Sequence, residues 1–413
     1  MLRWAAWGWA AVLCGVLLVQ TCVRAQRPNG IDLTSYLLSA RALLQGSSPY
    51  LLPTPFPYLY PATLAFLLIP LTFVPATVAV LMWFALTASA AVWAIRAVLL
   101  WARPDLEASP VDVAAFLAVF FTVFFSVAQS NLRNGQVNFI VLALCVFAAL
   151  SPRDLTRQLF FTGAGAPAPA RTVADAARQT ARHGRRRSPI DLSAVLWSLA
   201  VAIKLVPLAL LPYFMLRRSW VWLLASLVLI AAWCLLPAVV VGTRIVDIYE
   251  QYWRMFLATS LAERTQPLDF SLAGTIVWIT GVPLTPMLKG SAAAVVVGWI
   301  LQADARRFRP SHHRAFALYS LAIPLVSPQS EVHHLAFMLP AAAVAGGALW
   351  RNWRQARRAL QISAAIALGL HLAATATPIA SGPLFCASLI AFGVAVVNVS
   401  GRQSSRANDA IDH

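Results

Sequence analysis

Twelve apolar runs divide this chain, at about 4–23, 59–75, 77–100, 111–128, 136–150, 192–216, 220–242, 290–304, 315–327, 333–350, 359–376 and 382–398. A helix needs about 20 residues to cross a hydrocarbon core of about 30 Å. The longer runs therefore predict transmembrane helices, and the shorter ones are individually less decisive. With 60% hydrophobic and 11% charged residues and a mean hydropathy of +0.70, no soluble domain would bury this much apolar surface. The chain reads as a single all-α, polytopic membrane domain over 1–413. Run 4–23 has the length of a signal peptide but no clean cleavage site, so it is read as the first transmembrane helix.

The formal charge of +17 invites a nucleic-acid reading, which its distribution rejects. Nearly all of the positive charge is arginine in short runs between apolar segments, at Arg217 and Arg218, at Arg306, Arg307 and Arg309, and from Arg351 to Arg358. That is the pattern of cytoplasmic loops. These runs and the tail 399–413 are expected in the cytoplasm. A first outer loop, 24–58, a second, 243–288, and the short stretch 327–333 are expected on the other side. Within the second loop "DFSLAGTIVWITG" is expected as a surface or re-entrant helix. The insert 151–190 conflicts with simple alternation, which puts it outside although it carries eight arginines. Pro70 and Pro75 in one run, and Pro207 and Pro212 in another, predict breaks; half-inserted segments there would resolve the parity. The Ala/Gly/Pro-rich composition of the insert reads as a flexible, Arg-rich segment without chemistry. The five cysteines form no CxxC pair, so neither a disulfide framework nor a zinc site is expected.

The polar residues gather where apolar runs end. In "NGIDLTSYLLSARALLQGSSPY", Asp32, Tyr36 and Ser39 share one face of a helix, Leu33, Leu37 and Leu44 another, and Gly46 is a natural stop. This predicts an interfacial helix in which Asp32 is an N-cap, a functional carboxylate, or both. Tyr58, Tyr60 and Pro61 sit where the chain re-enters the membrane, a usual place for aromatics. Asn131, Arg133, Asn134, Gln136 and Asn138 crowd one turn, and Gln136 and Asn138 at a helix mouth point to packing or a cavity. Lys204, one of two lysines, stands inside an apolar run, where an ammonium is either functional or snorkelling. "SPQSEVHHLAFMLP" brings together Glu331, His333 and His334. Adjacent histidines point about 100° apart on a helix, so phosphate binding or proton handling by one of them is preferred to a metal site.

Read in order, Asp32, Tyr36, Gly46, Tyr50, Tyr60-Pro61, Pro70, Gly135-Gln136-Val137-Asn138, Lys204 with Pro207, Ser271, and Ser327-Pro328 with His333-His334 resemble glycosyltransferase family 87. These are polyprenyl-phosphate-mannose-dependent α-1,2-mannosyltransferases of bacterial envelopes, with a GT-C architecture. The resemblance runs from about residue 30 to 340 and rests on the order and spacing of its motifs. It implies about 12 transmembrane helices around an outward-facing site in the plasma membrane. It implies a polyprenyl-phosphate sugar donor, a glycolipid or lipoglycan acceptor, no cofactor and no metal. Asp32 matches the family's outer-loop base for a single inverting displacement. One of His333 and His334 matches the histidine near the donor, and Tyr36, Tyr60, Gln136, Asn138 and Lys204 match other positions of the donor and acceptor site. Glu331 stands near where the family commonly has an aromatic, and insert 151–190 is longer than its pattern. Three alternatives stay open: a transferase of the same architecture using arabinose or glucose, a transporter or flippase with polar residues in broken helices, and a structural assembly factor.

Overall fold

The computed structural model describes residues 2–53, 56–150, 191–260, 269–307, 311–327, 330–350, 352–377 and 381–399. The insert 151–190, residues 261–268 of the second loop and the tail from 400 lie outside the described residues.

Helix α1 (Leu2–Ala25) follows the first apolar run, and α2 (Asp32–Leu44) begins after a short turn. The run at 59–75 is broken, as its prolines predict, into α3 (Ala62–Leu67) and a 3-10 turn, Ile69–Phe73. Next comes α4 (Ala76–Ala102). The run at 111–128 reads as one span but forms two helices, α5 (Pro110–Val123) and α6 (Phe125–Arg133), bent by 77°. After α7 (Asn138–Ala149), the run at 192–216 splits at Lys204 into α8 (Leu192–Ile203), a 3-10 turn Val206–Leu210 containing Pro207, and α9 (Leu211–Arg217). Then follow α10 (Trp220–Leu235), α11 (Ile245–Ser260), α12 (Leu272–Thr280), α13 (Pro286–Arg307), α14 (His312–Ser320) and α15 (Ala322–Val326). A 3-10 helix, Val332–Met338, leads into α16 (Leu339–Leu349), and α17 (Arg358–Ala376) pairs with α18 (Ser381–Asn398).

Among the described residues seven helices are long and apolar enough to cross a membrane, and the bent α5–α6 pair makes an eighth. The chain is an all-α, multi-pass membrane protein. At nine residues α12 is too short to cross. Burial separates two classes of helix: the stretch Val332–Leu349 is 78% buried, whereas Trp4–Ala25 is 11% buried. The most buried stretch opens on a 3-10 helix, Val332–Met338, where neighbouring protein can satisfy backbone groups that hydrocarbon cannot.

The arginines do more than mark sides. Arg217 makes a two-pronged ion pair with Asp304 of α13 at 2.8 and 2.5 Å, and Tyr319 donates to the same carboxylate. Arg218 donates to the Ala148 and Leu150 carbonyls, and Arg103 to the Gly347 carbonyl. The Arg218 and Arg103 guanidiniums thus satisfy carbonyls that a helix C-terminus leaves without partners.

Candidate active site

Two glycines set the position of α2. Gly46 ends it at φ +72°, a conformation that costs other residues energy. Gly135, in the turn between α6 and α7, also lies in the left-handed region, at φ +67°. A Cβ there would meet Ile31 Cδ1 at 3.0 Å, Leu33 Cβ at 3.1 Å and the Leu33 nitrogen at 3.3 Å. The α6–α7 turn therefore lies directly against the start of α2. Trp83 of α4 closes the turn from behind, donating Nε1–H to the Gly135 carbonyl at 2.9 Å.

The capping expectation for Asp32 is corrected. The N-cap is Ile31, whose N–H donates to Thr34 Oγ1 at 3.2 Å. Asp32 is the first helical residue, and its own N–H donates to the Asn134 carbonyl at 2.9 Å. Its side chain is free of capping work because the α6–α7 turn takes up that backbone group. The faces of α2 also differ from those expected: Leu33 is fully buried along with Tyr36 and Ser39, while Leu44 is exposed. Helix α2 buries side chains on most of its circumference, and its exposed strip is Leu38, Arg41 and Leu44.

The Asp32 carboxylate accepts from Gln136 Nε2 at 2.5 Å. Tyr60 donates to Gln136 Oε1 at 3.1 Å, and Tyr36 donates to the Tyr60 hydroxyl at 2.8 Å. Burial holds both phenols above their ordinary range, so they remain donors. Burial likewise pushes the Asp32 carboxyl up to about 6; the Gln136 bond opposes this, as do the charges of Lys204 and Arg24, and Glu331 reinforces it. Glu331 is raised by burial too.

A second chain of contacts begins at Lys204. Its Nζ donates to Asn138 Oδ1 at 2.7 Å, lies 3.1 Å from His334 Nε2, and sits 5.4 Å from the centre of the Tyr60 ring. The Tyr60 ring joins the two chains. Asn138 also donates to Asn131 Oδ1 and to the His333 carbonyl, both at 3.1 Å, and Asn131 donates to that same carbonyl at 3.0 Å. His334 Nδ1 accepts the Glu331 N–H at 3.2 Å. A neutral imidazole cannot accept at both nitrogens. With the Glu331 bond made, Nε2 carries the proton and Lys204 meets it as an amine. With an ammonium at Lys204, the tautomer must switch and that bond is given up.

All eight residues singled out from the sequence, Asp32, Tyr36, Tyr60, Gln136, Asn138, Lys204, His333 and His334, thus meet at one place. The histidines are not splayed as on an α-helix: the 3-10 turn brings their rings together, with centroids 4.3 Å apart and planes tilted by 52°. His334 faces Lys204, whereas His333 approaches Glu331, with Nδ1 3.5 Å from Oε2. Lys204 does not snorkel; it is held in the polar cluster.

Sequence reasoning passed over two residues. Asn131 was visible in the crowded turn, but its role in holding the histidine segment was not. Asp269 carried no signal beyond lying in the second loop. Its Oδ1 accepts from the backbone N–H groups of Ser271 at 2.9 Å and Ser330 at 3.1 Å, clasping α12 to the segment before Glu331. Among the described residues no group of three or more His, Cys, Asp or Glu could hold a metal ion.

A half-buried, hydrogen-bonded carboxyl near a lysine and a histidine, in a polytopic helical protein, can take up a proton beside a cation able to stabilise an anion. The family model described as glycosyltransferase family 87 matches residues 58–328, and the chain belongs to that family. It is a membrane glycosyltransferase. Over an alignment of 391 residues it is 26% identical to the polyprenol-phosphate-mannose-dependent alpha-(1-2)-phosphatidylinositol mannoside mannosyltransferase of Mycobacterium tuberculosis, covering 88% of this chain and 82% of the relative. No solved structure matches the chain.

Proposed function

We propose that this protein transfers mannose from a polyprenyl-phosphate donor to a glycolipid or lipoglycan acceptor, in one inverting displacement, at a site facing away from the cytoplasm in the plasma membrane. The observation that carries the reading is Asp32, a carboxyl near neutrality held by Gln136. An acceptor hydroxyl attacks the anomeric carbon of the donor sugar while its proton passes to the Asp32 carboxylate. The bond from that carbon to the phosphate oxygen breaks, and polyprenyl phosphate leaves with the electron pair. Lys204, oriented by Asn138 and His334, meets the leaving phosphate as an ammonium. The charge of the donor favours that form, and the His334 tautomer switches with it. The mannose assignment draws on the relative's donor; outward orientation draws on the arginine distribution.

Asp32→Asn tests the reading. It keeps the size of the side chain and removes the base. With labelled polyprenyl-phosphate mannose and purified protein, transfer should fall on the order of 100-fold or more. Near-native transfer would reject Asp32 as the base. Lys204→Met should fall roughly 10- to 150-fold through loss of a charge-assisted contact. Running the native enzyme with arabinose- and glucose-bearing donors decides the sugar. For sidedness, cysteines placed at the exposed Ser47 and Thr243, in a background without native cysteines, should react with an impermeant reagent in intact cells. Reaction only after lysis would reverse the orientation.

A further inference from the structure

Glu331 is a second carboxylate at the Lys204 cluster, and the displacement at Asp32 leaves it without a part. Backbone contacts fix its place. Ser330, just before it, donates its N–H to Asp269 Oδ1 at 3.1 Å and accepts the Phe270 N–H at 3.3 Å. The His334 N–H closes the turn onto the Glu331 carbonyl at 2.8 Å. The Glu331 N–H donates to His334 Nδ1 at 3.2 Å, and the far nitrogen of that ring lies 3.1 Å from Lys204 Nζ. Glu331 therefore stands one imidazole away from the lysine.

Its side chain is open. It is 45% exposed, whereas that of His333 beside it is 13% exposed. His333 Nδ1 lies 3.5 Å from Oε2, the long limit of a hydrogen bond. An ionised carboxylate offers about four acceptor positions, so positions remain for a ligand on the exposed side. Its charge also reaches the reacting groups. Burial raises the Asp32 carboxyl, and Glu331 adds to that rise. Burial raises Glu331 as well, and the charge of Lys204 opposes it.

A second base has no use at this place. In an inverting displacement the base and the leaving group lie on opposite sides of the anomeric carbon. Glu331 joins the cluster through His334, on the side of the lysine that meets the leaving phosphate. A counter-ion there would cancel the charge the phosphate needs, and Lys204 is held instead by Asn138 and His334. What does come within reach is the donor sugar, which hangs on that phosphate by one bond and carries hydroxyl donors. We propose that Glu331 is a specificity-determining residue for the donor, its carboxylate accepting a hydrogen bond from one ring hydroxyl of the transferred sugar. The proposal rests on the transferase reading. A sugar without that hydroxyl leaves a partly buried charge unpaired, which is why such a contact discriminates.

The test crosses the residue with the sugar. Purified native protein, Glu331→Ala and Glu331→Gln are assayed with polyprenyl-phosphate mannose and with donors in which one ring hydroxyl at a time is replaced by hydrogen, using a phosphatidylinositol mannoside as acceptor. For the native protein one deoxy donor should show a kcat/KM roughly 10- to 150-fold below that of the mannosyl donor. Glu331→Ala should lose a similar factor with the mannosyl donor, and its penalty for that one deoxy donor should nearly vanish while the others persist. Glu331→Gln keeps an acceptor oxygen without the charge and should fall between. Deoxy penalties unchanged in Glu331→Ala, or reduced equally for every donor, overturn the proposal, as does a native protein indifferent to every hydroxyl. If Glu331→Ala does not fold, penalties in Glu331→Gln equal to the native ones overturn it. A series of deoxy acceptors with the mannosyl donor should show no selective change; a penalty erased there would assign Glu331 to the acceptor and overturn the donor contact. Failure of the native protein to transfer from any donor rejects the transferase reading and this proposal with it, whereas transfer with an unselective loss in the variants rejects the proposal alone.

Discussion

Asp32 and Gln136 stand 104 positions apart in sequence and 2.5 Å apart in space. The bond is the joint between a helix that follows the first span and a turn that precedes α7. It also lowers a pKa that burial raises. Removing it with Gln136→Leu should therefore do two things. Turnover should fall roughly tenfold or more, and the acid limb of the pH–rate profile should move to higher pH. A fall in rate with an unshifted limb would make Gln136 a packing residue only.

The acid limb of the native enzyme should lie near pH 6, where Asp32 ionises. The stability consequence has the opposite sense. A carboxyl raised from 3.8 to about 6 favours the folded state most below its unfolded value, and that contribution is lost as pH rises through 6. Asp32→Asn should consequently melt above the native protein at pH 7.5, with the gap narrowing toward pH 4.5. Thermal unfolding in one detergent at both values measures this.

The histidine pair should be unequal. His334 faces Lys204, so His334→Ala should cut turnover roughly 10- to 150-fold. The side chain of His333 lies against Glu331 and the His334 ring and away from Lys204, and it is the His333 backbone carbonyl that Asn131 and Asn138 bind. His333→Ala preserves that carbonyl and should retain most activity. Equal losses would show that the two adjacent rings act together.

Gly135→Ala should destabilise more than Gly46→Ala. Both glycines have positive φ, a strain of about 1–3 kcal/mol for other residues. Only at Gly135 does the added carbon also press on Ile31 and Leu33. The second penalty falls on the joint that places Asp32, so Gly135→Ala should lose transfer as well as melting temperature. Gly46→Ala should lose mainly the latter.

Asp269 makes its two backbone contacts through one oxygen. An asparagine can present an oxygen there, so Asp269→Asn should fold and transfer nearly as the native protein does. Asp269→Ala leaves two buried N–H groups unpaired and should cost about 2 kcal/mol or more. Gly274→Ala places a carbon 2.6 Å from the Asp269 carboxyl carbon and should resemble it. Melting temperatures of the three variants decide the matter.

Membrane class and helical architecture were already determined by the sequence, because hydrophobic run length is a local property that water and lipid read directly. So were the breaks at the proline-bearing runs, since a missing N–H acts where it stands. The site residues announced themselves one by one as polar groups out of place: a carboxylate at a helix start, amides at a helix mouth, and a lysine in an apolar run. What joined them was invisible. Whether Asp32 capped its own helix or turned toward Gln136 depended on which distant carbonyl took its N–H, and that was Asn134. Whether His333 and His334 diverged or met depended on a 3-10 turn that Asn131 and Asn138 hold from α6 and α7. Asp269 looked like any loop aspartate until the segment before Glu331 closed on it. Periodicity reports the faces a segment offers; pairing across long separations, which fixed the proton's path and the lysine's partner, arises only when those faces are packed together.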